Sequence, residues 1–181
     1  NLFEHTLQEL SGWPVLAGIL VISPDVLYAK FSTQYYFEFI LETQPTGLNE
    51  SIRQAAQHLH SQGVDAMLVI HGDLPWIRRS EILNLLQHAP KKGVVLVPDR
   101  HHSGTNLLLA APPQLIPFAY GENSFQKHQE LASKAGFPAA IFESPSLALD
   151  IDIPEDLALV TAMTPKNSNP SIMPASDLQE N

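Results

Sequence analysis

The chain has 181 residues, 19 acidic against 10 basic side chains, and a formal net charge of −9, with no cysteine. That length suits one domain with a sizeable core. The charge argues against nucleic acid or an anionic membrane as the main partner. The absence of cysteine excludes a disulfide framework, a thiolate zinc site and a cysteine nucleophile. No apolar run reaches the length of a membrane span. Residues 1–30 carry no secretory signal, so a cytoplasmic location is expected.

Leu2, Phe3, Leu7 and Leu10 recur at helical spacing and predict an amphipathic helix ending near Gly12 and Pro14. Val15–Ile22 is an apolar run, read as a strand covered on both faces. Pro24-Asp25 opens a short helix or turn, and Tyr36–Leu41 reads as a second strand. After the loop Gln44-Pro-Thr-Gly47, a helix is expected from Leu48 to about Gln62, stopped by Gly63. Ala66–Ile70 is the third strand and about Arg79–His88 the next helix. Val94–Val97 and Asn106–Ala111 are two further strands flanking the polar loop 98–104. Ser124–Ala135 reads as a helix capped by Ser124, with Phe125, His128, Ala132 and Ala135 on its apolar face. Short strands at Ala139–Phe142 and Ala148–Ile151 and a last helix at Pro154–Met163 complete residues 1–163 as one domain. The Pro-, Ser- and Asn-rich residues 164–181 read as a disordered tail.

Alternating strands and helices with largely apolar strands predict an α/β domain, a mostly parallel sheet with helices on both faces. Ligands in such folds bind beyond the carboxyl ends of the strands, where four stretches are expected to meet. Asp150 and Asp152, one residue apart, put two carboxylates on one strand face roughly 6–7 Å apart. They are either a cation-holding pair or two solvated aspartates. Asp73, in His71-Gly-Asp-Leu-Pro75, is either a third carboxylate of that set or a turn former. Oxygen-only ligands of this kind suit Mg²⁺ or Mn²⁺ better than zinc. In Ser103-Gly-Thr-Asn106, Gly104 would let a ligand approach the backbone, and the Thr105 hydroxyl would hold phosphate or carboxylate oxygens. A plain β-turn explains that stretch equally. Gly121-Glu-Asn-Ser124-Phe leads into a helix whose free N–H groups offer an anion site, or is simply an N-cap. None of the eight histidines has convincing metal-ligand spacing.

GLNESI (47–52), GDLPWI (72–77), PDRHHSGTNLLL (98–109), FAYGENSFQKH (118–128) and LALDIDIPEDLALV (147–160) occur in this order. Together they resemble the CofC-type 2-phospho-L-lactate guanylyltransferases of coenzyme F-420 biosynthesis, over residues ~15–163. The resemblance implies a Rossmann-like three-layer sandwich of the nucleotidyltransferase (MobA-like) type. It implies GMP transfer from GTP to the phosphate of 2-phospho-L-lactate, phosphoenolpyruvate or 3-phospho-D-glycerate, with release of pyrophosphate. On that likeness Asp73, Asp150 and Asp152 would bind two Mg²⁺ ions. Thr105, Gly121 and Ser124 would hold the acceptor, and Gly47, Leu48 and Asn49 would lie on the guanine side.

Two features depart from the family pattern. Ile153 stands where members usually carry Thr. Members also begin with a strand and a basic phosphate-gripping loop ahead of the helix that residues 2–10 resemble, so an upstream extension is expected. The competing readings are a nucleotidyltransferase for another acceptor, such as a sugar phosphate or molybdopterin, and a catalytically inactive nucleotide-binding domain of the same fold. Oligomeric state is open, a homodimer being one option.

Overall fold

A computed structural model describes residues 2–42 and 47–149. The expectations for Asp150, Asp152, the 154–163 helix and the 164–181 tail lie outside the described residues. Helix α1 (Leu2–Leu10) is followed by strand β1 (Leu20–Ser23), a 3-10 turn at Val26–Phe31, the short helix α2 (Ser32–Tyr35) and β2 (Glu38–Leu41). Next come α3 (Leu48–Ser61), β3 (Met67–Ile70), α4 (Arg79–His88), β4 (Gly93–Pro98), β5 (Thr105–Ala111), α5 (Ser124–Lys134) and β6 (Ala140–Ile141).

The strands form two sheets, β1 with β2 and a second in the order β3-β5-β4-β6. β1–β2 and β4–β6 are parallel, whereas β5 runs antiparallel to both β3 and β4. The alternation of side chains along β4 and β5 sorts the core into two layers. Val95 and Val97 pair with Leu109 and Leu107 and pack towards α4 and Leu10 of α1. Val94 and Leu96 pair with Ala110 and Leu108 and pack towards α3 and α5. A leucine so enclosed contributes about 1.5–3 kcal/mol, and Leu107 and Leu108 have no exposed surface. The resulting helix–sheet–helix sandwich matches the expected fold class.

α3 ties the small sheet to the large one, lying against both β1 and β3. Its His58 Nε2 is 2.9 Å from Glu38 Oε1 on β2, and its Ser51 hydroxyl donates to Glu42 Oε1 at 2.5 Å. A third cluster, Leu7, Tyr35 and Phe37, packs α1 against the small sheet, with Phe3 edge-on to Tyr28.

Three local expectations are corrected. Val15–Ile22 is a strand only from Leu20. Leu16 N–H closes a turn on Trp13 O at 3.0 Å, and Val15 is 52% exposed. The apolar character of that run serves packing instead, since Trp13, Leu16 and Ile19 cover the α4 side of the core. The second strand begins at Glu38 rather than Tyr36. Tyr36 ends α2 in a left-handed conformation (φ 52°) and is 81% exposed. Residues 145–148 form a turn closed by Ala148 N–H to Ser144 O at 2.9 Å, so the described part of 148–151 is not a strand.

Candidate active site

The register of the large sheet brings three chain segments to one end. Ile70, the last residue of β3, pairs with Leu107, and Pro98, the last of β4, pairs with Thr105. The carboxyl ends of β3 and β4 therefore flank the amino end of β5, where Thr105 and Asn106 are buried.

The β4–β5 loop is built around Asp99. Its carboxylate accepts the His101 and Ser103 N–H groups at 3.1 and 2.8 Å and the Ser103 hydroxyl at 2.9 Å. Burial raises the Asp99 carboxyl, but bonds from Ser103, Gly104 and His101 outweigh it and hold it below the usual carboxylate range. Gly104 is required by this carboxylate. A Cβ there would sit 2.9 Å from Asp99 Oδ2, so the glycine leaves room for this carboxylate.

The 117–128 stretch lies across the start of β5. Gly121 has φ +113°, and a Cβ there would meet nothing within 4 Å, so the backbone is open on that side. Ser124 does not cap α5 as expected. Asn123, left-handed at φ 53°, precedes the helix, and Ser124 Oγ instead lies 3.4 Å from Thr105 Oγ1. Phe125 N–H donates to Ser103 O at 3.2 Å, joining the start of α5 to the β4–β5 loop. One turn further on, His128 is fully buried. Its Nδ1 is 3.0 Å from Thr105 Oγ1, and its Nε2 accepts the Ala119 N–H at 2.9 Å. Burial pushes the imidazole down to about 4.

Asn49, in the first turn of α3, bonds Tyr120 twice through the backbone. Its Nδ2 donates to Tyr120 O at 3.1 Å, and its Oδ1 accepts Tyr120 N–H at 2.7 Å. Its amide therefore holds the residue before Gly121, while Gly47 (φ +94°) and the exposed Leu48 open the same helix. The Tyr120 ring lies between His128 and His71, with centroids 4.9 and 5.1 Å away. Burial raises its phenol.

Asp73 follows β3 and is half-buried. Among the described residues its enclosed Oδ1 finds no hydrogen-bond partner, nor do His71 Nε2 and Tyr120 OH. A buried carboxylate oxygen left unpaired is costly, and a cation would satisfy it. Among the described residues no three His, Asp or Glu side chains group as a metal cage. The stretch leading to Asp150 is anchored from two sides. Asn106 Nδ2 donates to Leu147 O at 3.0 Å, and Glu81 Oε1 accepts the Ser144 hydroxyl at 2.5 Å and the Ser146 hydroxyl.

Sequence reasoning placed Asp73, Thr105, Gly121 and Ser124 at one end of the sheet. His128 was given no role, being read as part of an apolar helix face and as the last residue of FAYGENSFQKH. The available signal was its spacing: His128 is four residues after Ser124, hence on the same face of α5.

Residues 1–165 match the family of CofC-like guanylyl transferases. The chain belongs to this family. A phosphoenolpyruvate guanylyltransferase from Sphaerobacter thermophilus is 33% identical over 165 residues, covering 91% of this chain and 79% of the relative. A 3-phospho-D-glycerate guanylyltransferase from Colwellia psychrerythraea is 30% identical, covering 91% and 78%. Among solved structures, a 4-diphosphocytidyl-2C-methyl-D-erythritol synthase superposes with a TM-score of 0.66 at 16% identity, covering 90% of this chain and 89% of that one. The guanylyltransferase thus has the nucleotidyltransferase fold.

Proposed function

We propose that this guanylyltransferase transfers GMP from GTP to the phosphate of a small phosphorylated carboxylic acid, phosphoenolpyruvate or 2-phospho-L-lactate, in coenzyme F-420 biosynthesis. The observation that carries the proposal is the Thr105–Ser124 hydroxyl pair beside the open backbone of Gly121, at the sheet end that also holds Asp73. Relatives whose names specify different three-carbon phospho-acids support an acceptor of this class.

In the proposed reaction an acceptor phosphate oxygen attacks the α-phosphorus of GTP. The bond from that phosphorus to the bridging α–β oxygen breaks, and pyrophosphate leaves. The nucleophile is already anionic at neutral pH, so no general base is needed. Catalysis consists of positioning and charge neutralisation. Thr105 and Ser124 would orient the acceptor through their hydroxyls. Gly47 and Leu48 would face the guanine, with Asn49 fixing the acceptor loop relative to them. Asp73, Asp150 and Asp152 would hold Mg²⁺, which neutralises the charge of the meeting phosphates. The unpartnered Oδ1 of Asp73 suits that role.

The test is pyrophosphate release with GTP, Mg²⁺ and each of phosphoenolpyruvate, 2-phospho-L-lactate and 3-phospho-D-glycerate. Release with one of the first two is expected. Absence of release with all three would sink the proposal, and release with 3-phospho-D-glycerate alone would replace the acceptor. Ser124→Ala should raise the KM of the acid and leave that of GTP unchanged.

A further inference from the structure

We infer that His128 is a positioning residue that fixes Thr105 as a hydrogen-bond donor towards an anionic acceptor. The inference rests on the proposed acceptor site and adds to it the group that sets the direction of its hydrogen bonds.

The Ala119 N–H can only donate, and it points at His128 Nε2 from 2.9 Å. Nε2 must therefore be the unprotonated nitrogen. In a neutral imidazole the proton then sits on Nδ1. Nδ1–H faces Thr105 Oγ1 at 3.0 Å and donates to it. A hydroxyl that accepts from a ring N–H keeps its own hydrogen for another partner. Ser124 Oγ, at 3.4 Å, is too far from Thr105 Oγ1 to form a strong bond. Thr105 thus keeps a hydrogen for a further partner beside a second hydroxyl, that of Ser124, whose N–H donates to Gly121 O at 3.1 Å. That array suits phosphate or carboxylate oxygens, which accept only.

The opposite tautomer would reverse the logic. Nε2–H would confront the Ala119 N–H, and an Nδ1 lone pair would draw the Thr105 hydrogen towards the ring. An anion would then meet a lone pair. Burial of the ring excludes water, and its lowered pKa keeps it in the neutral form in which one nitrogen donates and the other accepts. Tyr120, packed at 70° to the ring, holds its plane.

Two variants separate this role from a merely structural one. A glutamine at 128 places its amide near the Nε2 position and can keep the Ala119 bond, but it gives up donation to Thr105. An asparagine places its amide near Nδ1 and can keep donation to Thr105, while losing Ala119. Binding of whichever of phosphoenolpyruvate, 2-phospho-L-lactate and 3-phospho-D-glycerate the wild type takes, followed by calorimetry on the intact protein, should weaken roughly tenfold or more in His128→Gln, the effect of a misdirected bond to a charged oxygen. His128→Asn should retain more of the affinity, and the KM of GTP should stay unchanged in both. In ¹⁵N-histidine spectra of the wild type at neutral pH, the His128 proton should be on Nδ1. A proton on Nε2, or His128→Gln binding as tightly as the wild type, overturns the inference. So does the reverse ranking of the variants, which would mean that holding Ala119 is what matters. A wild type that binds none of the three acids overturns the acceptor site itself, and the role of His128 falls with it.

Discussion

Acidification should destabilise this protein through His128. The ring is fully buried, and burial lowers its pKa from 6.5 to about 4. Between these values the unfolded chain binds a proton at His128 and the native protein does not. Stability therefore rises with pH across this window. The contribution is complete above about pH 6.5 and is lost progressively as pH falls towards 4. At about 1.4 kcal/mol per pH unit, that interval is worth on the order of 3 kcal/mol. This is a large share of the roughly 5–15 kcal/mol typical of a domain. Asp99, whose folded carboxyl is held low, acts in a separate window, losing its contribution only as pH falls below its ordinary value of 3.8. Urea unfolding of the wild type and of His128→Gln, at half-unit intervals from pH 7.5 to 4, isolates the term. The difference between the two should shrink by about 3 kcal/mol on descending the series, because glutamine does not titrate. Parallel profiles across pH 6.5–4 would refute a buried neutral imidazole at 128.

Two further outcomes follow from side chains that hold backbone. Asn49→Ala removes both bonds to Tyr120 and leaves a half-buried N–H without a partner, at a cost of about 2–3 kcal/mol. Thermal or urea unfolding should show that loss, and the KM of the acid should rise because Tyr120 adjoins Gly121. Glu81→Ala frees the Ser144 and Ser146 hydroxyls from their shared acceptor. It should lower kcat more than it raises either KM, since it loosens the stretch leading to Asp150. Glu81→Gln, which retains a carbonyl acceptor, should recover most of the rate.

The interior of the large sheet was readable from the sequence because its strands are uninterrupted apolar runs bounded by turn residues. β4, β5, α3 and α4 fall within a residue or two of their expected limits. The direction of β5 was not read, because an apolar run looks the same whichever way it points. The useful signal was length. Only six residues, 99–104, join β4 to β5, while a parallel crossover needs a dozen or more. The Val15–Ile22 run misled for another reason: apolar residues preceded by Trp13-Pro14 can serve a core from a turn as well as from a strand. At the site, Thr105 and Ser124 stood out as hydroxyls beside glycines. His128 did not, since a histidine on an apolar helix face is ordinarily core, and its two partners lie 23 and 9 residues away in sequence.

The hydrogen bonds of the site bear on what kind of catalysis it can support. A general base needs a free lone pair and a pKa near the working pH. His128 has neither, because its acceptor nitrogen is taken by the Ala119 N–H and its pKa is lowered to about 4. Asn49 and Asn106 spend their amides on Tyr120 and Leu147, and Glu81 accepts two loop hydroxyls. These polar side chains fix backbone rather than move protons. A reaction whose nucleophile arrives ionised asks for that division of labour, with held loops, donors aimed at an anion and a carboxylate left for a cation. Proton abstraction from a neutral hydroxyl would instead need a base beside Thr105 and Ser124, where the nearest imidazole is already committed as a donor.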